Sequence, residues 1–379
     1  MTAVKSIDDP VTHVQELRTG ALTQRHGQQV LPYCAILLGL CLLAFAYPKT
    51  PSAIRNGATY LAPAVIAGLI TAPSMPLFFV MTGVFLAVLN ISPAKKNSEL
   101  QALAIPWIIG AYILIDTLIH RNVVGNNLLG YSPIEGARYY GIGNEAMGAM
   151  AGGLLVTISH LWTTLQPHPH HPREGRSKRI AVIVGMLAVI VIVGAPSMGA
   201  KAGGVIVLTG AFATFLMTGY GRRLGLGGIL IATLLGLIAL TSMALLDGAR
   251  SSTSQSHLGA AVSLIRHGGI EQALDIVGRK MAVELKLATH STWALPVWAG
   301  LACILLQRRT ASTWKSKVDA LVNSGAVTAD AVKTRPRMAL LDSTLVAALL
   351  MLLFNDAGAV ACALCLSIVC GYIAASPRS

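Results

Sequence analysis

An arginine, two tyrosines, an asparagine and a glutamate crowd into the stretch GARYYGIGNEAMG, Gly136–Gly148. The planar fork of Arg138 suits two oxygens of one phosphate. Tyr139, Tyr140 and Asn144 add hydrogen-bonding groups, and Glu145 can serve as a base or proton carrier. A second interruption, FNDAG, sets Asn355 and Asp356 before Gly358 between apolar runs. A third, APSMGAKAGG, holds Lys201 in a turn rich in Pro and Gly, and a fourth, 247–290, carries Arg250 and His257 on either side of a Ser/Thr cluster. Taken together they describe a site for an anionic substrate. Arg138, Lys201 and Arg250 would grip its oxygens, Tyr139, Tyr140, Asn144, His257 and Asn355 would complete its binding, and Glu145 or Asp356 would be the catalytic base. Each piece also has a plain reading: a capped outer loop, a hairpin turn, a lysine snorkelling to headgroups, a surface brace.

Charged residues make up only 12% of the 379 residues and hydrophobic ones 54%. A chain of that composition is a polytopic membrane protein, and crossing the hydrocarbon takes about 17 to 25 apolar residues per helix. About eleven runs qualify, some short: 31–47, 58–72, 76–91, 102–119, 145–162, 180–195, 202–220, 226–246, 291–306, 339–354 and 359–375. The expected fold is therefore all-α, a transmembrane helix bundle of about 10–11 spans. Residues 1–30 read as a polar N-terminal tail, 31–375 as a single transmembrane domain and 376–379 as a short tail. Within 247–290, Ile270, Leu274, Val277 and Met281 recur at helical spacing, which predicts an external amphipathic helix on the bilayer surface.

The formal charge of +13 sits between the apolar runs, as orientation in a bilayer requires, so nucleic acid ranks low as a partner. Arg173, Arg176, Lys178 and Arg179 mark one loop, Arg222 and Arg223 the next, and Arg308, Arg309, Lys315, Lys317, Lys333, Arg335 and Arg337 a basic loop at 307–338. The positive-inside rule makes these cytoplasmic and puts 120–144, 196–201, 247–290 and 355–358 together on the external face. Eleven crossings would leave the amino terminus outside, against the pull of Lys5, Arg18 and Arg25.

Other motifs carry less. His168, His170 and His171 alternate with prolines and lack a cysteine or carboxylate set, so a linker is expected there and no metal. All six cysteines fall inside apolar runs, where packing explains them. Asp116 and His120 are one helical turn apart, as a mutually satisfied pair or an acid/base pair. Neither a Walker A sequence nor a dinucleotide fingerprint is present, and no cofactor is expected.

GARYYGIGNEAMG, with the later LLFNDAGAV, resembles motifs of a group of bacterial multi-pass membrane proteins to which no activity is attached. A fainter likeness is to O-antigen ligases and polymerases, which combine many spans with a long external loop. That likeness implies arginines holding the diphosphate of a lipid-linked sugar, here Arg250, Arg266 and Arg279. The Ser-Arg-Gly element of those enzymes is replaced by Met198, Gly199, Ala200 and Lys201. The resemblance implies a bacterial cytoplasmic membrane, membrane lipids and an anionic lipid-linked substrate as partners, and processing of an envelope glycan intermediate as the function. A proton- or cation-coupled transporter or flippase built from the same residues is the alternative, and a ligand-free scaffold is a third.

Overall fold

Backbone amides in hydrocarbon have no water to bond, so long apolar runs must satisfy them internally as helices. The computed structural model describes residues 10–91, 98–119, 127–130, 141–164, 172–195, 197–222, 225–248, 278–323, 329–355 and 357–375. Its helices are α1 (Pro10–Ala46), α2 (Ser52–Thr71), α3 (Met75–Ile91), α4 (Ser98–Ile119), α5 (Asn144–Thr164), α6 (Pro172–Gly194), α7 (Ala202–Gly219) and α8 (Leu226–Gly248). They continue with α9 (Gly278–His290), α10 (Ala294–Asn323), α11 (Ala329–Phe354) and α12 (Gly358–Ala375). Every run expected to span lies within one of them, to within three residues at either end. The chain is an all-helical integral membrane protein of many spans.

Among the described residues, eight helices have the length and apolarity to cross on their own. α9 and α10 qualify as a pair bent by 82°, and α3 and α8 contribute the shorter apolar stretches Met75–Val88 and Gly227–Ala239. Two polar segments next to the spans are helical as well. The polar amino-terminal residues from Pro10 continue directly into the first span as one helix of 37 residues, about 55 Å long. The basic segment 307–338 is largely helix rather than open loop, because α10 runs on to Asn323 and α11 already begins at Ala329. Alanines, lysines and arginines there favour helix once a span has nucleated it.

α12 is the axis. It packs against α5, α10, α11, α2, α1 and α4, and 89% of its span is buried against 22% for α6. Its contact with α5 depends on glycine. A Cβ on Gly148 would overlap the backbone of Ala361, and one on Gly152 would lie 3.0 Å from the Cys365 carbonyl oxygen. The small-xxx-small pair on α5 thus meets Ala361 and Cys365 at the same spacing on α12. In lipid, such close backbone approach supplies the dispersion energy that the hydrophobic effect cannot. α7 lies along α11 and α8 in a second layer.

The basic segments gather at one end of the bundle. Arg179 of α6 lies 4.9 Å above the Trp162 ring of α5, and Trp162 meets the Tyr220 ring edge-on at 5.4 Å. Arg308 of α10 reaches Asp342 of α11 at the same end. The opposite end holds the starts of α5, α7 and α12, which follows the grouping expected from the Lys and Arg distribution.

Replacing Gly148 by leucine should cost about 1–3 kcal/mol or prevent folding. Gly185→Leu on α6, where a side chain meets open space, should be neutral. Thermal unfolding of the two variants in detergent checks the contrast, and equal midpoints would remove α5–α12 packing as the framework of the fold.

Candidate functional site

Four chain segments meet at the end opposite the basic loops. The first is the entry to α5. Gly141 has a φ of +88°, a conformation that glycine adopts without strain. The next amide, Ile142 N, donates to the Gly199 carbonyl at 3.0 Å. α5 then starts at Asn144 with Glu145 in its first turn.

The second segment is the turn from α6 to α7, folded back over the end of α6. Gly199 N donates to Ile192 O at 3.0 Å and Lys201 N to Val193 O at 2.9 Å. Ala200 is held at φ 45°, a left-handed value unusual for a residue with a Cβ. Lys201 stands at the start of α7 and is only 2% exposed. The alternative of a lysine snorkelling along the surface is therefore excluded by its burial.

The third segment is the break between α11 and α12. α11 ends at Phe354, and Asn355, 4% exposed, donates from Nδ2 to the Asn144 carbonyl at 3.0 Å. Its other amide atom, Oδ1, is buried with no hydrogen bond among the described residues. Gly203 allows this approach, because a Cβ there would lie 2.5 Å from the Phe354 carbonyl oxygen.

The fourth is α9, whose Glu284 is buried and accepts a hydrogen bond from Ala359 N, at the first turn of α12, at 3.1 Å. Only Met281 of the predicted apolar stripe is described. It, Val283 and Leu285 are exposed to the bundle's surroundings, whereas Glu284 and Ala288 face inward. Arg279, one of the arginines implied by the ligase likeness, is exposed on α9.

Electrostatics tie these segments together. Glu145 is attracted by Lys201 and repelled by Glu284. Three helix amino termini, those of α5, α7 and α12, also point their partial positive charges, roughly half a unit each, toward the cluster. Among the described residues, Glu145 and Glu284 thus share this end of the bundle with the Lys201 ammonium group and three helix starts. Helix starts and unwound segments arranged in this way are how membrane proteins build sites for anions and coupling ions.

Of the residues predicted for the site, Asn144, Glu145, Lys201 and Asn355 come together here. Arg138, Tyr139, Tyr140, Arg250, His257 and Asp356 lie outside the described residues, as do Arg266, His120 and the histidines at 168–171. Among the described residues no group of three His, Cys, Asp or Glu side chains is placed to hold a metal. The six cysteines are free and buried. Glu284 was not anticipated. Its signal in the sequence is a carboxylate in VELKLA three residues past Met281, on the line of the apolar stripe.

No family model, curated protein or solved structure matches the chain.

Removing the Lys201 charge leaves two acids with less compensation. Lys201→Met should destabilise the fold by about 3–5 kcal/mol, as when one partner of a buried charge pair is deleted. Adding Glu145→Gln should recover about 1–3 kcal/mol of that loss. A double-mutant cycle on unfolding in detergent measures the coupling, and strictly additive losses would separate the two side chains.

Proposed function

We propose that this integral membrane protein is a proton- or cation-coupled transporter or flippase. The observation that carries this reading is the meeting of Glu145, Glu284, Lys201 and Asn355 at interruptions between helices. Carboxylates inside a membrane bundle are costly and are kept where ions or protons move. Here Glu284 accepts the hydrogen bond of the Ala359 amide at the start of α12. Binding a proton or cation at Glu284 weakens its hold on the Ala359 amide and shifts the charge felt by Glu145. α9, bent by 82° from α10, is the element such a change would release. Helix breaks of this kind act as hinges in secondary transporters.

The membrane we assign is the bacterial cytoplasmic membrane, with the cluster facing outward and the basic segments in the cytoplasm, following the positive-inside rule. The substrate class we favour is a phosphate-bearing, lipid-linked envelope intermediate. Arg138 and Arg250 would join Lys201 in holding its phosphate oxygens, with Tyr139, Tyr140 and His257 against its remainder and Asp356 as a further proton carrier.

A second reading uses the same substrate for chemistry. The three helix starts around Lys201 favour an anionic group, and Glu145 or Asp356 would then act as the base for transfer of the glycan to an acceptor hydroxyl. Cleavage of the sugar–phosphate bond would release the lipid diphosphate as the leaving group.

Reconstituted liposomes loaded with a polyprenyl-diphosphate sugar separate these readings. Transport gives movement of the lipid between leaflets with unchanged mass, accelerated by a proton or cation gradient. Glu145→Gln and Glu284→Gln should each slow it at least ten-fold, while the exposed Lys286→Gln leaves it intact. Covalent change of the sugar lipid without leaflet movement would support the transferase, and neither result would remove both.

A further inference from the structure

A second charged group sits inside the bundle at the end opposite the cluster. Asp342 lies in the stretch LLDSTL of α11 and is 1% exposed. One carboxylate oxygen, Oδ1, accepts from Arg308 Nε of α10 at 2.6 Å. The other, Oδ2, accepts from the Thr218 hydroxyl of α7 at 3.2 Å. Each oxygen thus serves a different helix, and one side chain ties α7, α10 and α11 together.

The pair is asymmetric. The Asp342 side chain is 2% exposed and the Arg308 side chain 35%. The guanidinium therefore has water available when it leaves, whereas the carboxylate does not. A merely structural contact at this place could be made as well by apolar side chains, because buried ion pairs contribute little net stability over them. What an ion pair supplies is two discrete arrangements, closed with both charges satisfied or open with Arg308 hydrated.

The same two helices carry both charged groups. Lys201 begins α7 and Thr218 is near its end; Asn355 follows α11 and Asp342 lies about 20 Å back along it. Between them α7 places Thr214, fully buried, one turn before Thr218.

We infer that Asp342, Arg308 and Thr218 form a gate that closes the basic end of a path running along the α7–α11 seam from the Lys201 cluster. This rests on the transport reading for its role, but not for its existence. Opening moves Arg308 into water and gives the buried stretch around Thr214 access to the basic end. Gln307, bonded to Arg337 Nη2 at 3.2 Å, keeps α10 and α11 joined one residue away.

The test places a reporter cysteine, Thr214→Cys, in a chain whose six native cysteines are alanine, reconstituted with known orientation. A membrane-impermeant maleimide is applied to each face separately. Asp342→Asn and Arg308→Gln should each raise labelling from the basic face at least ten-fold, with little change from the other face. Thr218→Val, a milder change, should raise it two- to five-fold, and Asp342→Glu should stay near the parent. Unchanged labelling in the folded variants, or equal rises from both faces, overturns the gate. Should the charge variants fail to fold, an unchanged rate in Thr218→Val overturns it as well. A rise in labelling from a protein that moves no substrate upholds the gate and removes the transport reading, so the two failures are distinct.

Discussion

A carboxylate cannot remain ionised among packed helices unless something else carries the opposite charge to it. That requirement organises this protein at both ends. At one, Glu284 takes the amide at the start of α12 while Glu145 feels Lys201. At the other, Asp342 takes Arg308 and a threonine hydroxyl. Each solution draws its partners from helices distant in sequence, so the charges can be satisfied only when the bundle is assembled.

Assembly to that closeness depends on residues with almost no side chain. Gly148 and Gly152 bring α5 against the backbone of α12, and Gly203 brings the start of α7 against the end of α11. Without these contacts the three helix starts would stand further apart and their partial charges would be spread rather than focused. The packing is also uneven in a way that suits movement. α12 is enclosed on nearly all sides, while α6 and α8 present rows of leucine, isoleucine and valine outward. Fixed axis, lipid-facing outer helices and a bent α9–α10 element coexist in one chain.

Much of this was legible in the sequence because hydrocarbon imposes so narrow a choice. Continuous apolar runs gave the helices, and the clustering of Lys and Arg gave the grouping of their ends. Asn144, Glu145, Lys201 and Asn355 stood out as polar residues in breaks, where glycine and proline flank them. Glu284 and Asp342 did not, for opposite reasons. Glu284 belongs to a segment already rich in charge, and only the tertiary fold turns that one face inward. Asp342 sits in an otherwise apolar run, where nothing nearby in sequence marks the partner that an ionisable residue at that depth needs. Arg308 is one of many basic residues in its segment of the sequence; helix α10 carries it to the Asp342 carboxylate. The pairing could not be read locally, since 34 residues separate the two.

Glu145 and Glu284, far apart in the chain, lie close enough within one molecule for their charges to act on each other, and the rest of the account depends on that. Cysteines at both positions, in a chain otherwise free of cysteine, should be joined by a short bifunctional maleimide in the membrane, giving one internally linked peptide pair by mass spectrometry. Single cysteines that react yet never link within the molecule would contradict it.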